Sequence, residues 1–175
     1  MFEQAWKYLT EYQAVRIISL DNSLVHQGKG FLHHNYHSVA NGANLDHLIV
    51  TPPNIDVHFR SWNVKSNEGP VYITAYEGTT VSSNGTAEAV GNNNRQSVIT
   101  PQTSIYLTPT VTAVGNPLLT DFIGTTGGGA HVAVGESAES NTEWLLKRGT
   151  KYLFRVLNSS GVTTNISVIF GWYEI

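Results

Sequence analysis

The chain has no cysteine. Disulfides, thiol nucleophiles and thiolate metal sites are therefore excluded, and the redox compartment leaves no trace in the residues. Charge is also scarce. Asp, Glu, Lys and Arg make up 13% of the 175 residues, against about 25% in an ordinary soluble domain. The formal net charge is -3, so there is no basic footprint for nucleic acid or for an anionic membrane surface. No apolar run approaches the ~20 residues that span a bilayer. The first residues lack the basic, apolar and cleavage regions of a secretory signal. Neither a nucleic acid nor a membrane is expected as a partner.

Thr, Ser, Asn and Gly fill the space that charge leaves. Such a surface is polar but weakly charged. It suits a chain that packs against other protein, although a lectin-like domain shares it. The length suits one domain, and a domain of this size buries roughly 70% of its unfolded surface.

The clearest pattern lies in the last third, from Thr142 to Ile175. Tyr152, Phe154 and Val156 alternate with Leu153, Arg155 and Leu157. Ile166, Val168, Phe170 and Trp172 alternate with Asn165, Ser167, Gly171 and Tyr173. Period-two alternation over this length predicts strands with one face in a core. Asn158-Ser159-Ser160-Gly161 between them is a turn signal and predicts a β-hairpin.

Upstream, the same alternation predicts strands over 31–39, 45–51, 55–65, 71–76, 104–111 and 118–124, with turns at Asn41-Gly42 and 67–70. Pro52-Pro53 and Pro109 interrupt them. Two stretches differ. Residues 77–97 and 125–140 are rich in Gly, Asn, Ser and Thr and read as long exposed excursions, the first with a short strand near 87–90. Phe2, Ala5, Trp6, Leu9 and Tyr12 recur at helical spacing and predict an amphipathic helix over 2–13. That helix either covers its own sheet or packs on a neighbouring subunit. The residues that follow read as a β-type run to Leu20 and then a loop through His26, Gly28 and Gly30. No strand–helix alternation occurs, so a parallel α/β sheet is not expected. About eight strands at sandwich spacing predict an all-β fold, an antiparallel β-sandwich or jelly roll with a short N-terminal helix and two long loops. The expected organisation is an N-terminal helical arm over 1–20 and a β body over 21–175.

Few residues suggest chemistry. Of the seven histidines, His33 and His37 share one face of a predicted strand and His34 takes the other. A metal site there would need a third ligand from a facing strand. The His-x-His pair with a following Glu, found in cupin-type jelly rolls, is absent, so surface or interface histidines on an edge strand are expected. There is no G-x-S-x-G elbow. Gly124–Gly129 lacks the Gly-Lys-Ser/Thr ending of a phosphate loop. Asp56, Glu77, Glu143 and Glu174 carry no spacing that marks a carboxylate pair. No catalytic residue, cofactor or metal is expected. Asn92-Asn93-Asn94-Arg95 reads either as a surface turn or as a docking loop anchored by Arg95. Trp62, Tyr72 and Tyr76 are candidates for stacking on sugar rings.

Several segments occur together in one order. They are Tyr76-Glu77-Gly78, Gly91-Asn92-Asn93-Asn94-Arg95, Glu143-Trp144-Leu145-Leu146-Lys147, Thr150-Lys151-Tyr152-Leu153-Phe154-Arg155 and Trp172-Tyr173-Glu174. The series resembles small virion proteins of tailed bacteriophages, some of them jelly-roll head decoration (cement) proteins. The resemblance covers roughly residues 26–175 and leaves the N-terminal segment outside. It implies a structural protein of the virion, made in the host cytoplasm and placed on the capsid surface. The implied partners are the major capsid protein and further copies of the chain, with a trimer matching a threefold lattice site. The expected contact residues are Phe2, Trp6, Leu9, Asn92, Asn93, Asn94 and Arg95. A carbohydrate-binding or adhesion module of a phage fibre is the alternative, and a cupin-like metalloenzyme through His33 and His37 is a third.

Overall fold

The computed structural model describes residues 20–124, 137–140 and 142–175. The predicted helix over 2–13, with Phe2, Trp6 and Leu9, lies outside the described residues, as does His131.

The fold is an antiparallel β-sandwich. After one short helix, α1 (Leu20–His26), the chain enters β1 (Gly30–Val39), β2 (Asn44–Val50), β3 (Val57–Ser66) and β4 (Val71–Glu77). Five short strands follow, β5 (Thr80–Ser83), β6 (Thr86–Ala87), β7 (Gly91–Asn92), β8 (Ser104–Leu107) and β9 (Thr110–Ala113). The chain then forms β10 (Asn116–Ile123), β11 (Ser137–Ser140), β12 (Trp144–Leu146), β13 (Lys151–Asn158) and β14 (Thr164–Glu174). One sheet runs β11-β3-β14-β1-β7, with β12 also on β3. The other runs β10-β4-β13-β2-β8-β6, and β5 pairs with β9 in a small third sheet.

The long strands nest from the outside in. β1 pairs with β14, β2 with β13, β3 with β12 and β4 with β10, all antiparallel. Successive strands β1, β2, β3 and β4 alternate between the two sheets, and so do β12, β13 and β14.

The predicted terminal hairpin does not form. β13 lies between β2 and β4, and β14 lies between β1 and β3 of the opposite sheet. The Asn158–Gly161 turn is an arch between layers. Asn158 is fully buried there. Its Nδ2 donates to Val39 O and Val162 O, each at 2.8 Å, and its Oδ1 accepts from Ser160 N–H at 2.9 Å. Alternation still holds on both strands, because each turns one face to the same core.

That core joins the sheets. Val57, Phe59, Trp62 and Val64 of β3 and Ile166, Val168, Phe170 and Trp172 of β14 face Ile73 and Ala75 of β4 and Tyr152, Phe154 and Val156 of β13. Phe154 and Phe170 meet edge to face across the layers, with centroids 4.9 Å apart, an arrangement aromatic quadrupoles favour. Each fully buried large apolar side chain contributes roughly 1.5–3 kcal/mol. The inward period on β3 breaks between Phe59 and Trp62, where the register against β14 slips at Gly171/Trp172. This bulge turns Trp62 into the core, at 3% exposure, so the expected sugar-stacking role for Trp62 is lost.

Two further readings change. Leu20–His26 is a helix rather than a run-in to a loop. The 77–97 excursion does not hang free. Its β6 extends the sheet at β8 and its β7 pairs with β1 of the other sheet. The segment from Thr86 to Asn93 thus straps the open side of the sandwich between β1 and β8.

Candidate functional site

The asparagine tract sits on this strap. Asn92 Nδ2 donates to Gly28 O at 2.8 Å and to Ile99 O at 2.9 Å, while its Oδ1 accepts from Asn94 N–H at 2.9 Å. Asn94 Nδ2 donates to His26 O at 3.0 Å, and its Oδ1 accepts from Gln96 N–H at 3.1 Å. These amides pin the strap to the turn after α1, and their polar groups are consumed by the fold. Asn93 and Arg95 are exposed. With Leu32, His34, Ala89 and Val90 they line an open groove of 580 Å³. Of the predicted contact residues that are described, Asn92 and Asn94 therefore hold the strap in place, while Asn93 and Arg95 present exposed side chains at the groove.

Beneath the strap lies a cluster that polarity along the chain does not reveal. His33 of β1 and His47 of β2 come from opposite sheets, yet both are fully buried. Their rings meet edge to face with centroids 5.6 Å apart, and both pack on Phe170. The expectation of surface histidines fails for His33, because its face of β1 points into the sandwich. His33 Nδ1 donates to Ala89 O on the strap at 3.0 Å, which fixes the tautomer, since a carbonyl only accepts. His33 Nε2 and both ring nitrogens of His47 are buried without a hydrogen-bond partner, as is Nε2 of the half-buried His37. Burial holds His33 below its ordinary value, against the opposing pull of the Ala89 bond and the Glu88 charge. Burial, with His33 and His37 adding repulsion, pushes His47 down to about 3. Glu88 covers this side and accepts a short hydrogen bond from Asn35 Nδ2. The sequence did hold one signal for His47: it lies between Leu45 and Ile49, at the inward positions of β2.

Among the described residues, no three His, Asp or Glu side chains are arranged to hold a metal ion. The carboxylates each have their own partners. Asp56 bonds Arg148 at 2.7 Å, and Glu77 bonds Lys147 Nζ at 2.6 Å and Tyr152 OH at 3.1 Å. Glu143 joins His58 at 2.6 Å and Arg60 at 2.8 Å. These cationic or hydrogen-bonding neighbours hold all three carboxyls below the usual range. Glu174 is buried and accepts from the main-chain N–H of Gln102 and Thr103 at 2.8 and 2.9 Å, and from Trp172 Nε1 at 3.0 Å. Glu174 thus anchors a loop, and the four carboxylates do not converge.

The remaining candidates are exposed apolar side chains. Tyr36 of β1 is 66% exposed, Phe122 of β10 61%, Leu145 of β12 61% and Val98 95%. Tyr72 packs tilted against Phe122 with centroids 6.4 Å apart. No helix among the described residues is long and apolar enough to cross a membrane. The chain matches no protein-family model and no curated protein sequence.

Proposed function

We propose that this chain is a virion structural protein, a jelly-roll decoration (cement) protein that binds the major capsid protein on the outside of a tailed-phage head and associates as a homotrimer. The nested pairing of β1 with β14, β2 with β13, β3 with β12 and β4 with β10 is the wrap expected of a jelly roll. One observation carries the functional reading. Exposed apolar side chains lie on separate sides of a stiff body: Tyr36 outside one sheet, Phe122 at the β10 edge of the other, and Leu145 on β12. A bridge between neighbouring capsid subunits needs contacts on more than one side. Many weak contacts on a symmetric lattice add up through multivalency, and selective binding of the expanded shell stabilises it by mass action.

Cryo-electron microscopy of the virion that carries this protein is the direct test. Density for the sandwich on the outer shell at threefold or quasi-threefold positions is the expected result. Density on a tail fibre, or a monomer by light scattering at micromolar concentration, overturns the reading. With density on a tail fibre the carbohydrate-binding alternative takes over. The open groove beside His34, Asn93 and Arg95 favours it, and a glycan array tests it.

A further inference from the structure

We propose that the buried His33–His47 pair makes the strap an acid-sensitive latch: on acidification residues 86–93 release from the sandwich edge while the two sheets stay packed. The geometry has three parts. The first is the pair itself, two imidazoles from opposite sheets packed on Phe170, His33 stacked and His47 edge-on, with three ring nitrogens lacking partners. A proton added to His33 Nε2, or to the one His47 nitrogen that carries no hydrogen, creates a cation with no acceptor in an apolar core, beside a second imidazole that repels it.

The second part is the cover. The strap's main-chain bonds are few. β6 pairs with β8 at Thr86 and Ala87, β7 pairs with β1 at Gly91 and Asn92, and Glu88 N–H and Asn93 N–H reach Ile105 O and Gly30 O at 2.9 Å. The sheets beneath are far more extensively paired. β14 bonds β1 over its whole length and β3 over nearly all of its own. Lifting the strap breaks these bonds and those of Asn92 Nδ2 to Gly28 O and Ile99 O, His33 Nδ1 to Ala89 O and Asn35 to Glu88, still far fewer than join the sheets, and it uncovers the His33 end of the pair.

The third part is the electrostatic surround. His34 and His37 of β1 are the other titratable groups that bear on the pair, and Glu88 is the one opposing charge on the strap. Its carboxylate is held by Asn35 and makes no bond to either ring. On the β2 side, Asp46 and Arg155 pair on the outer face of the sheet and do not enter the cluster. The surround therefore offers repulsion and one indirect counter-charge.

The sign follows from linkage. The open state binds protons at the ordinary value of 6.5, and the closed state binds them only near 3 at His47. Opening is thus favoured progressively as the pH falls below about 6.5, and the effect levels off once the closed state also takes up the proton. Each proton taken up on opening multiplies the opening constant by about ten per pH unit.

Hydrogen exchange on the full chain, corrected for intrinsic pH dependence, tests it at Glu88 and Asn93 N–H. For each imidazole that takes up a proton on opening, protection there should fall by nearly tenfold between pH 6 and 5, while amides of β3 and β14 keep theirs. His47→Leu should flatten that slope, whereas His58→Gln, at a surface ion pair, should leave it unchanged. Equal slopes in wild type and His47→Leu would overturn the latch, and so would strap and sheet amides losing protection together. If His47→Leu does not fold, ring NMR of the wild type decides. A His47 ring that stays neutral at pH 5 in the closed state supports the latch, and one that titrates near 6.5 without strap opening ends it.

Discussion

Asp46 and Arg155 stand directly opposite each other on β2 and β13 and close a two-pronged bond, Nε to Oδ1 at 2.8 Å and Nη2 to Oδ2 at 2.7 Å. The pair is half-buried on the outward face of the sheet, next to Leu48 and Leu153, which are fully buried although they point away from the main core. A planar guanidinium matches a carboxylate in this geometry and an ammonium does not. Arg155→Ala should therefore cost about 1–2 kcal/mol, and Arg155→Lys should recover only part of it. Urea denaturation at pH 7 measures both, read as a lower midpoint at unchanged slope.

Asn158 is the second test. Its amide satisfies two main-chain carbonyls and one N–H inside the arch that carries the chain from one sheet to the other. Asn158→Ala leaves those groups buried and unpaired, at a cost of about 2–4 kcal/mol. Asn158→Asp should be worse at pH 7, because a carboxylate brought against two carbonyls repels both and donates to neither. An aspartate as stable as the alanine at pH 7 would show that water enters the arch.

These two positions also show what was legible along the chain. Alternation on β13 and β14 correctly gave two strands with buried faces, since period two reports burial and nothing else. It did not give their partners. Those lie near Asp46 and Trp62, about a hundred residues earlier, and a Ser-Gly turn serves an arch as well as a hairpin. Trp62 escaped for a similar reason: a bulge between Phe59 and Trp62 shifts which residues face inward, and no local signal marks it. His33 reads as polar, so the chain suggests surface, but its position on the inward face of β1 overrides its chemistry. Asn92 and Asn94 act as the turn formers their chemistry suggests, and their amides bond His26, Gly28 and Ile99.

Glu174 gives a local prediction. Its two oxygens accept three N–H groups, two of them from the loop at Gln102 and Thr103. Glu174→Gln keeps the shape but turns an NH2 group toward N–H donors. It should lose about 1–3 kcal/mol. Trp172, which donates to the same carboxylate and is otherwise buried against Phe31, should report the change as a red-shifted emission at pH 7 before global unfolding. An unchanged emission together with full stability would mean that the loop does not depend on this anchor.

The last prediction concerns alkaline pH. Tyr152 is buried, its OH donates to Glu77 at 3.1 Å and accepts from Lys147 N–H at 2.7 Å, and burial first, then Glu77, pushes its ionisation up to about 12. The unfolded chain releases that proton near the ordinary value of 10. Stability from this group is therefore whole below pH 10 and is lost as the pH rises from 10 to 12, at up to about 1.4 kcal/mol per pH unit. Tyr152→Phe leaves Glu77 with Lys147 and removes this pH-dependent loss. Its stability at pH 7 should be lower than that of wild type by about 1 kcal/mol, and the gap should shrink above pH 10. Denaturant midpoints at pH 8 and pH 11, with ultraviolet absorbance following phenolate formation, measure both quantities. A gap that does not shrink at pH 11 would mean that the Tyr152 hydroxyl ionises as readily in the folded protein as in the unfolded chain, against the burial that β13 and the Lys147 main chain impose on it.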